Sequence, residues 1–463
     1  MAIPVHCEWP PCNGLKSGDA SAPNIRLLRE LEHNPLIRGP QKEEPVQQTI
    51  QRVDATGAMD PAIPREFVTI RAADGVETWG ILYTPAQGRA RVAVQIMHQR
   101  GDMSRHYIVP GLVRAGYAVY ASNSRYLNND RDCLHERILL DIAAGQRMLR
   151  ERGYEATVLF GNSGGGSLFA FYQSQAATRS PDRLREIPGD WNLDLNQYDL
   201  PEADVYISVA SHRGQGLLMQ GLIDPAVVDE HAPLLTDRTL DMFNPDNGYQ
   251  PVPLPSHYSA DFLARYREAQ RARVARLDAL ARTHVDRQRG AQAAERADSF
   301  ASRPAAEQLN LRKSAALDGL MVIYRTLANP AHLDPGIDPS DRPLGSIFAA
   351  DPIVGNYAGA GLARVMTPRG WLSTWSGLSS NASLTRSLAN VRIPTLIVNA
   401  QGDCDIFPED AHMIFEASVA EDKQFVALEG AAHFLTPLAG STLADPVDRL
   451  LDIILPWLRA RLN

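Results

Sequence analysis

The chain has 463 residues, 44% of them hydrophobic and 22% charged, and 46 basic against 54 acidic side chains leave a formal charge of −8. That balance excludes a broad basic footprint for nucleic acid; 33 Gly and 32 Pro are too few for a collagenous or low-complexity chain. No apolar run reaches the roughly 20 residues of a membrane helix, so the expectation is a soluble enzyme of about three domain-sized blocks, or one large α/β domain with an insertion.

Residues 1–64 are rich in Pro and charge, with a short helical stretch around Asn24–Glu32, and read as an N-terminal arm. The first residues, Met1 to Cys7, show neither a basic n-region nor an apolar h-region. Four cysteines (Cys7, Cys12, Cys133, Cys404) are too few for a disulfide framework. A cytoplasmic, reduced protein is expected, with Cys7 and Cys12 spaced to close a small loop or to join a metal site if other ligands assist.

From residue 65 the texture changes. Phe67–Arg71 and Glu77–Tyr83 alternate apolar and polar residues around Ala73-Asp74-Gly75, a hairpin signal. Val92–Met97 is a continuous apolar run, as in a strand buried on both faces. A helix over Tyr107–Ala115, a strand over Tyr117–Ser122, a helix over Leu134–Arg152, a strand over Ala156–Phe160, a helix from about Ser167 and a strand over Val205–Ala210 follow. The alternation resumes at Pro394–Asn399 (strand), Glu409–Val419 (helix), Lys423–Leu428 (strand) and Pro446–Arg461 (helix). This rhythm predicts a mostly parallel sheet with helices on both faces.

Between the two runs the alternation vanishes over some 180 residues, too many for a loop. Residues 212–391 are therefore expected to form a mainly helical insertion after the sixth strand, dividing the core into 65–211 and 392–463. Its long helix, Ala260–Arg296, carries an apolar stripe at Leu263, Tyr266, Val274, Leu277, Ala281 and Val285. Its arginines (Arg265, Arg267, Arg271, Arg273, Arg276) read as a solvated face, which also offers a surface for a homo-oligomer. A second helix over Ala305–Leu327 is expected to pair antiparallel with it.

The sharpest chemical signal is Gly161-Asn162-Ser163-Gly164-Gly165-Gly166, set between a buried strand and a helix. A serine at such a turn is lifted clear of the sheet beside a helix N-terminus, whose free N–H groups and dipole suit a developing oxyanion. A phosphate-binding loop would end in Gly-Lys-Ser/Thr, which this segment lacks. A serine hydroxyl needs an imidazole base and an acid to orient it. Both follow in the order Ser, Asp, His: an acidic loop, Gly402-Asp403-Cys404-Asp405, after one strand, and Gly430-Ala431-Ala432-His433 after the next. Loops at the C-terminal ends of parallel strands are where such sheets bind ligands.

On these three segments the chain resembles the α/β-hydrolase superfamily, over about residues 66–212 and 392–463, with the interval as a cap. The resemblance implies Ser163 as nucleophile, His433 as base and, from Gly-x-x-Asp, Asp405 in preference to Asp403 as the acid. It implies an oxyanion hole from the N–H groups of Gly164 and Arg100, the latter in Met97-His98-Gln99-Arg100-Gly101-Asp102, where Gln99 stands in place of the family's usual glycine. The Arg100 side chain pairs with a nearby carboxylate such as Asp102, or faces the pocket to grip a substrate carboxylate.

Of the 12 histidines, His412 is expected to face solvent, while His212 either lines the pocket or caps a loop. His98, Gln99, Asn162 and Tyr107 are further pocket candidates. Trp371 and Trp375, at helical i, i+4 spacing, pack the core or wall the pocket. The expected activity is hydrolysis of a carboxylic ester or lactone of a small organic molecule, with no metal or organic cofactor and no nucleic-acid or membrane partner. Amides, thioesters and activated C–C bonds fit the same residues, and so does a small-molecule-binding protein that has kept the fold without the chemistry.

Overall fold

The computed structural model describes residues 59–359 and 361–462. The expected helix near Asn24–Glu32, the Cys7–Cys12 loop and nearly all of the expected arm lie outside the described residues. The described residues belong to one compact unit that contains both the sheet and the insertion.

Eight strands form the main sheet: β1 (Arg65–Arg71), β2 (Glu77–Tyr83), β3 (Val92–Ile96), β4 (Ala118–Ser122), β5 (Ala156–Asn162), β6 (Val205–Val209), β7 (Thr395–Ala400) and β8 (Lys423–Leu428). Their spatial order is β1-β2-β4-β3-β5-β6-β7-β8. The β1–β2 and β2–β4 pairs are antiparallel, and from β4 to β8 every pair is parallel. This is the α/β-hydrolase fold that the sequence implied.

The core strands are buried on both faces because helices cover both. Val158 and Phe160 of β5, and Val205, Ile207 and Val209 of β6, join one apolar layer with Ile108, Leu112, Leu450 and Ile454. Leu159 and Tyr206, one residue out of phase, join the opposite layer with Ile138, Leu139, Leu168 and Phe169. This period of two is why each strand reads as a continuous apolar run rather than an alternating one. The covering helices are α1 (Val109–Arg114), α2 (His135–Glu151) and α3 (Gly164–Ala177), with α9 (Pro446–Leu462) closing the chain.

The segment between β6 and β7 holds α4 (Gln215–Leu222), α5 (Ala260–Arg296), α6 (Ala305–Ala316) and α7 (Leu384–Leu388), and α8 (Pro408–Ala417) follows β7. Helix α6 ends eleven residues before the expected Leu327. Gly319 disfavours continuing the helix and the β-branched pair Val322-Ile323 favours extended chain, so Met321–Val322 pairs with Val365–Met366 instead. Helices α5 and α6 do run antiparallel: Gln288 reaches the Ala315 carbonyl, and Glu295 pairs with Arg312.

The arginine face of α5 needs two corrections, the first at Arg267, which is half-buried and donates to Asn329 Oδ1 at 2.8 Å and to Gln270 Oε1 at 2.9 Å. Arg265, Arg271 and Arg276 are exposed, but Arg273 is fully buried, its guanidinium 2.6 Å from Glu230 and within hydrogen-bonding reach of the Asp224 and Tyr324 carbonyls. Burial of that charge is tolerable because each face of the fork has an acceptor.

Candidate active site

Register brings the site together. Asn162 at the end of β5 lies opposite Val209 of β6, Val398 of β7 also lies opposite Val209, and Ala400 lies opposite Leu428 of β8. The residues after these four strands therefore leave the sheet along one rim, although 242 residues separate Ser163 from Asp405. The loops are fastened there: Ser163 N–H donates to Val209 O at 3.0 Å, Ala210 N–H to Val398 O at 2.9 Å, and Gly402 N–H to Ala431 O at 2.9 Å.

Ser163 has φ 55° and ψ −125°, a left-handed conformation unusual for a residue with a side chain, and α3 begins at the next residue. Helix α3 thus starts at Gly164 rather than near Ser167, and the Gly164 N–H, in the first turn, has no acceptor within the helix. Ser163 Oγ donates to His433 Nε2 at 2.9 Å. His433 Nδ1–H donates to Asp403 Oδ2 at 2.5 Å. Both His433 and Asp403 are buried. Burial works against a charged His433, but the Asp403 carboxylate, its hydrogen bond and the charge of Asp405 hold the imidazole above its usual 6.5.

The partner of His433 is therefore Asp403, not Asp405. The second oxygen of Asp403, Oδ1, accepts from the N–H groups of Asp405 (2.9 Å) and Ile406 (3.0 Å), a local turn that aims Oδ2 at the imidazole. Asp405 faces the insertion. Its carboxylate accepts from Ser346 Oγ at 2.9 Å and from the Ile347 N–H at 2.7 Å, and His332 Nε2 lies 3.1 Å away. Burial would raise its pKa, but the His332 charge and these donors hold it below the usual carboxylate value. His332 and Ser346 carried no motif, and nothing in the sequence could have tied them to the acid loop.

The loop after β3 departs from expectation too. The N–H groups of Arg100 and Gly101 both point at His98 Nδ1, at 3.2 and 3.0 Å, so the amide expected to serve as an oxyanion donor already has an acceptor. Gln99 is fully buried and its carboxamide lies against the elbow: a Cβ on Gly164 would come within 2.4 Å of Gln99 Nε2. That amide donates to Gln215 Oε1 at 2.6 Å, a residue the sequence did not single out. The Arg100 side chain pairs with Asp130 at 2.8 Å rather than with Asp102, and its guanidinium stands 4.9 Å above the Trp375 ring.

Trp371 and Trp375 are both fully buried, in a π-helical turn rather than an α-helix. They part company: the Trp371 indole donates to Asp278 at 2.7 Å inside the insertion, whereas Trp375 meets Arg100. Asn162 is tied to Val209 O at 3.1 Å and to His106 at 3.4 Å. Tyr107 packs on His106, ring centres 4.1 Å apart. His212 is buried, accepts from the Gly214 N–H at 3.2 Å, and is pushed down to about 3 by burial and then by the Arg100 charge. His412 is exposed, as expected. Cys133 and Cys404 are free thiols.

Among the described residues no helix is long and apolar enough to cross a membrane, and no group of three or more His, Cys, Asp or Glu is placed to hold a metal ion. No protein-family model matches the chain, and no curated protein is similar to it in sequence. Similar solved structures include the alpha/beta hydrolase GrgF from Penicillium sp. sh18, 13% identical, with 86% of this chain and 99% of that one covered at a TM-score of 0.45. Carboxyl esterase 2 from the mycorrhizal fungus Tuber melanosporum is 13% identical over 88% and 91%, TM-score 0.41. An esterase of Pyrococcus furiosus is 10% identical over 90% and 99%, TM-score 0.39.

Proposed function

We propose that this chain, whose fold is that of the α/β hydrolases, is a serine hydrolase that cleaves a carboxylic ester or lactone of a small organic molecule. The observation that carries the reading is the unbroken relay from Ser163 Oγ through His433 to Asp403, at 2.9 and 2.5 Å. His433 takes the Ser163 proton as Oγ attacks the carbonyl carbon. The oxyanion is received by the Gly164 N–H at the start of α3, where the helix dipole favours negative charge. Asp403 keeps the proton on Nδ1, so that Nε2 is the base, and stabilises the imidazolium that forms. His433 then protonates the leaving alcohol, the acyl-enzyme remains on Ser163, and a water activated by the same imidazole releases the acid. The insertion over 212–391 serves as a cap, tied to the acid loop through Asp405.

The test is labelling by a fluorophosphonate together with turnover of short p-nitrophenyl esters. The wild-type protein is labelled at Ser163 and hydrolyses the esters; Ser163→Ala loses labelling and at least about 10⁴ of kcat. An unlabelled, inactive wild-type protein would point to a binding protein on this fold.

The rate follows pH in a definite direction. His433 must be neutral to act as a base, and Asp403 favours its charged form. The acid limb of kcat/KM is therefore expected to be centred above 6.5, with activity rising as pH increases through it. A limb centred below 6.5 would contradict the charge balance of the site.

A further inference from the structure

Around Arg100, on the loop next to the elbow, several buried polar atoms have no hydrogen-bond partner among the described residues. They are Arg100 Nη1, Gln99 Oε1, both ring nitrogens of His135 and Trp375 Nε1. His135, Gln99 and Trp375 are fully buried. Leaving one buried polar group unpaired costs about 1–3 kcal/mol, so such a group of atoms calls for a partner.

Their arrangement has a sign. Asp130 faces Arg100 only at Nε, which leaves Nη1 unengaged, and Trp375 covers one face of the guanidinium. The Arg100 charge still reaches past Asp130. After burial, it is the next influence that depresses His98 and His212, and it also depresses His135, held at about 4. These imidazoles are neutral at ordinary pH and add no charge of their own. Gln99, the residue before Arg100, lies against Gly164 of the elbow, which sets this loop beside the proposed nucleophile.

We propose that the donors of this cluster, Arg100 first among them, form a carboxylate-binding subsite, and that the substrate carries a carboxylate near the bond to be cleaved, as in a half-ester of a short dicarboxylic acid. Arg100 Nη1 supplies the charge-assisted donor, and Trp375 Nε1–H and a ring N–H of His135 are neutral donors in the same cluster. Arginine suits this role because its fixed fork can hold Asp130 at one edge and a second anion at the other. The inference rests on the hydrolase reading and specifies its substrate class.

Calorimetric titration with succinate and with its uncharged analogue succinamide tests it directly. Ser163→Ala, which removes the nucleophile but not the subsite, is expected to bind succinate at least 10-fold more tightly than succinamide. Arg100→Gln is expected to lose that preference, and Arg100→Lys, which keeps the charge without the fork, to recover part of it. Equal binding of the two compounds, or a preference that survives in a folded Arg100→Gln (intact by its thermal melt), overturns the proposal. Fluorophosphonate labelling of wild-type Ser163 is read separately: labelling without a succinate preference sinks only the subsite, whereas succinate binding without labelling sinks only the hydrolase.

Discussion

Asp403→Asn is expected to lower kcat by about 10³–10⁴, while Asp405→Asn keeps kcat within about 10-fold of the wild-type protein. Asparagine at 403 can still accept the two backbone N–H bonds from residues 405 and 406, so the loop survives. It presents a neutral amide to His433 Nδ1, however, which removes the charge that stabilises the imidazolium and allows the wrong tautomer. At 405 the loss is structural. The carboxylate there receives Ser346, the Ile347 N–H and His332, all from the insertion, and an amide in its place leaves His332 facing a neutral group. Breaking a buried pair of this kind costs about 3 kcal/mol, visible as a fall in the denaturant midpoint. Because the Asp405 pKa is depressed in the folded state, its contribution to stability is present above the unfolded carboxylate value of about 3.9 and is lost as pH falls from there through the lower, folded value. The Asp405 charge also helps to raise the His433 pKa, so the acid limb of any Asp405→Asn activity should move to lower pH. If Asp405→Asn proved the crippling change and Asp403→Asn the mild one, the relay drawn from His433 would be wrong.

That choice between two aspartates marks where the sequence stopped being legible. The sheet was readable because burial on both faces leaves unbroken apolar runs, and the order of the three motifs located Ser163 and His433 at strand ends. Nothing in Gly402-Asp403-Cys404-Asp405 says which carboxylate turns inward. That is decided by the local turn in which Asp403 Oδ1 caps two backbone N–H groups, and by an insertion residue 73 positions upstream that claims Asp405. The insertion was the least legible part for the same reason. Arg273 reads as one of a row of surface arginines until Glu230, 43 residues before it, folds over its guanidinium. His135 and Gln215 belong to no motif, and they gain meaning only from what their side chains lie near.

The elbow itself yields the second large effect. Gly161→Ala is expected to cost about 3 kcal/mol of stability and at least 10² in kcat in whatever protein still folds. A Cβ at 161 would stand 2.4 Å from both the backbone nitrogen and Cα of Gly166, and 2.5 Å from the carbonyl carbon of Gly165. These are main-chain atoms in the first turn of α3, and they cannot swing aside as the tip of a side chain can. Nor can β5 retreat, since residue 161 is held in register against Ser208 of β6. Strand and helix must therefore part. That movement relaxes the turn that keeps Ser163 at φ 55° and carries Oγ away from an acceptor only 2.9 Å distant. Gly290→Ala supplies the contrast. A Cβ there meets nothing within 4 Å on the exposed side of α5, so the change should stabilise the protein by about 0.5–1 kcal/mol through helix propensity and leave kcat untouched. Equal behaviour of the two variants in denaturant titration would mean that the close approach of β5 to α3 does not hold the elbow in place.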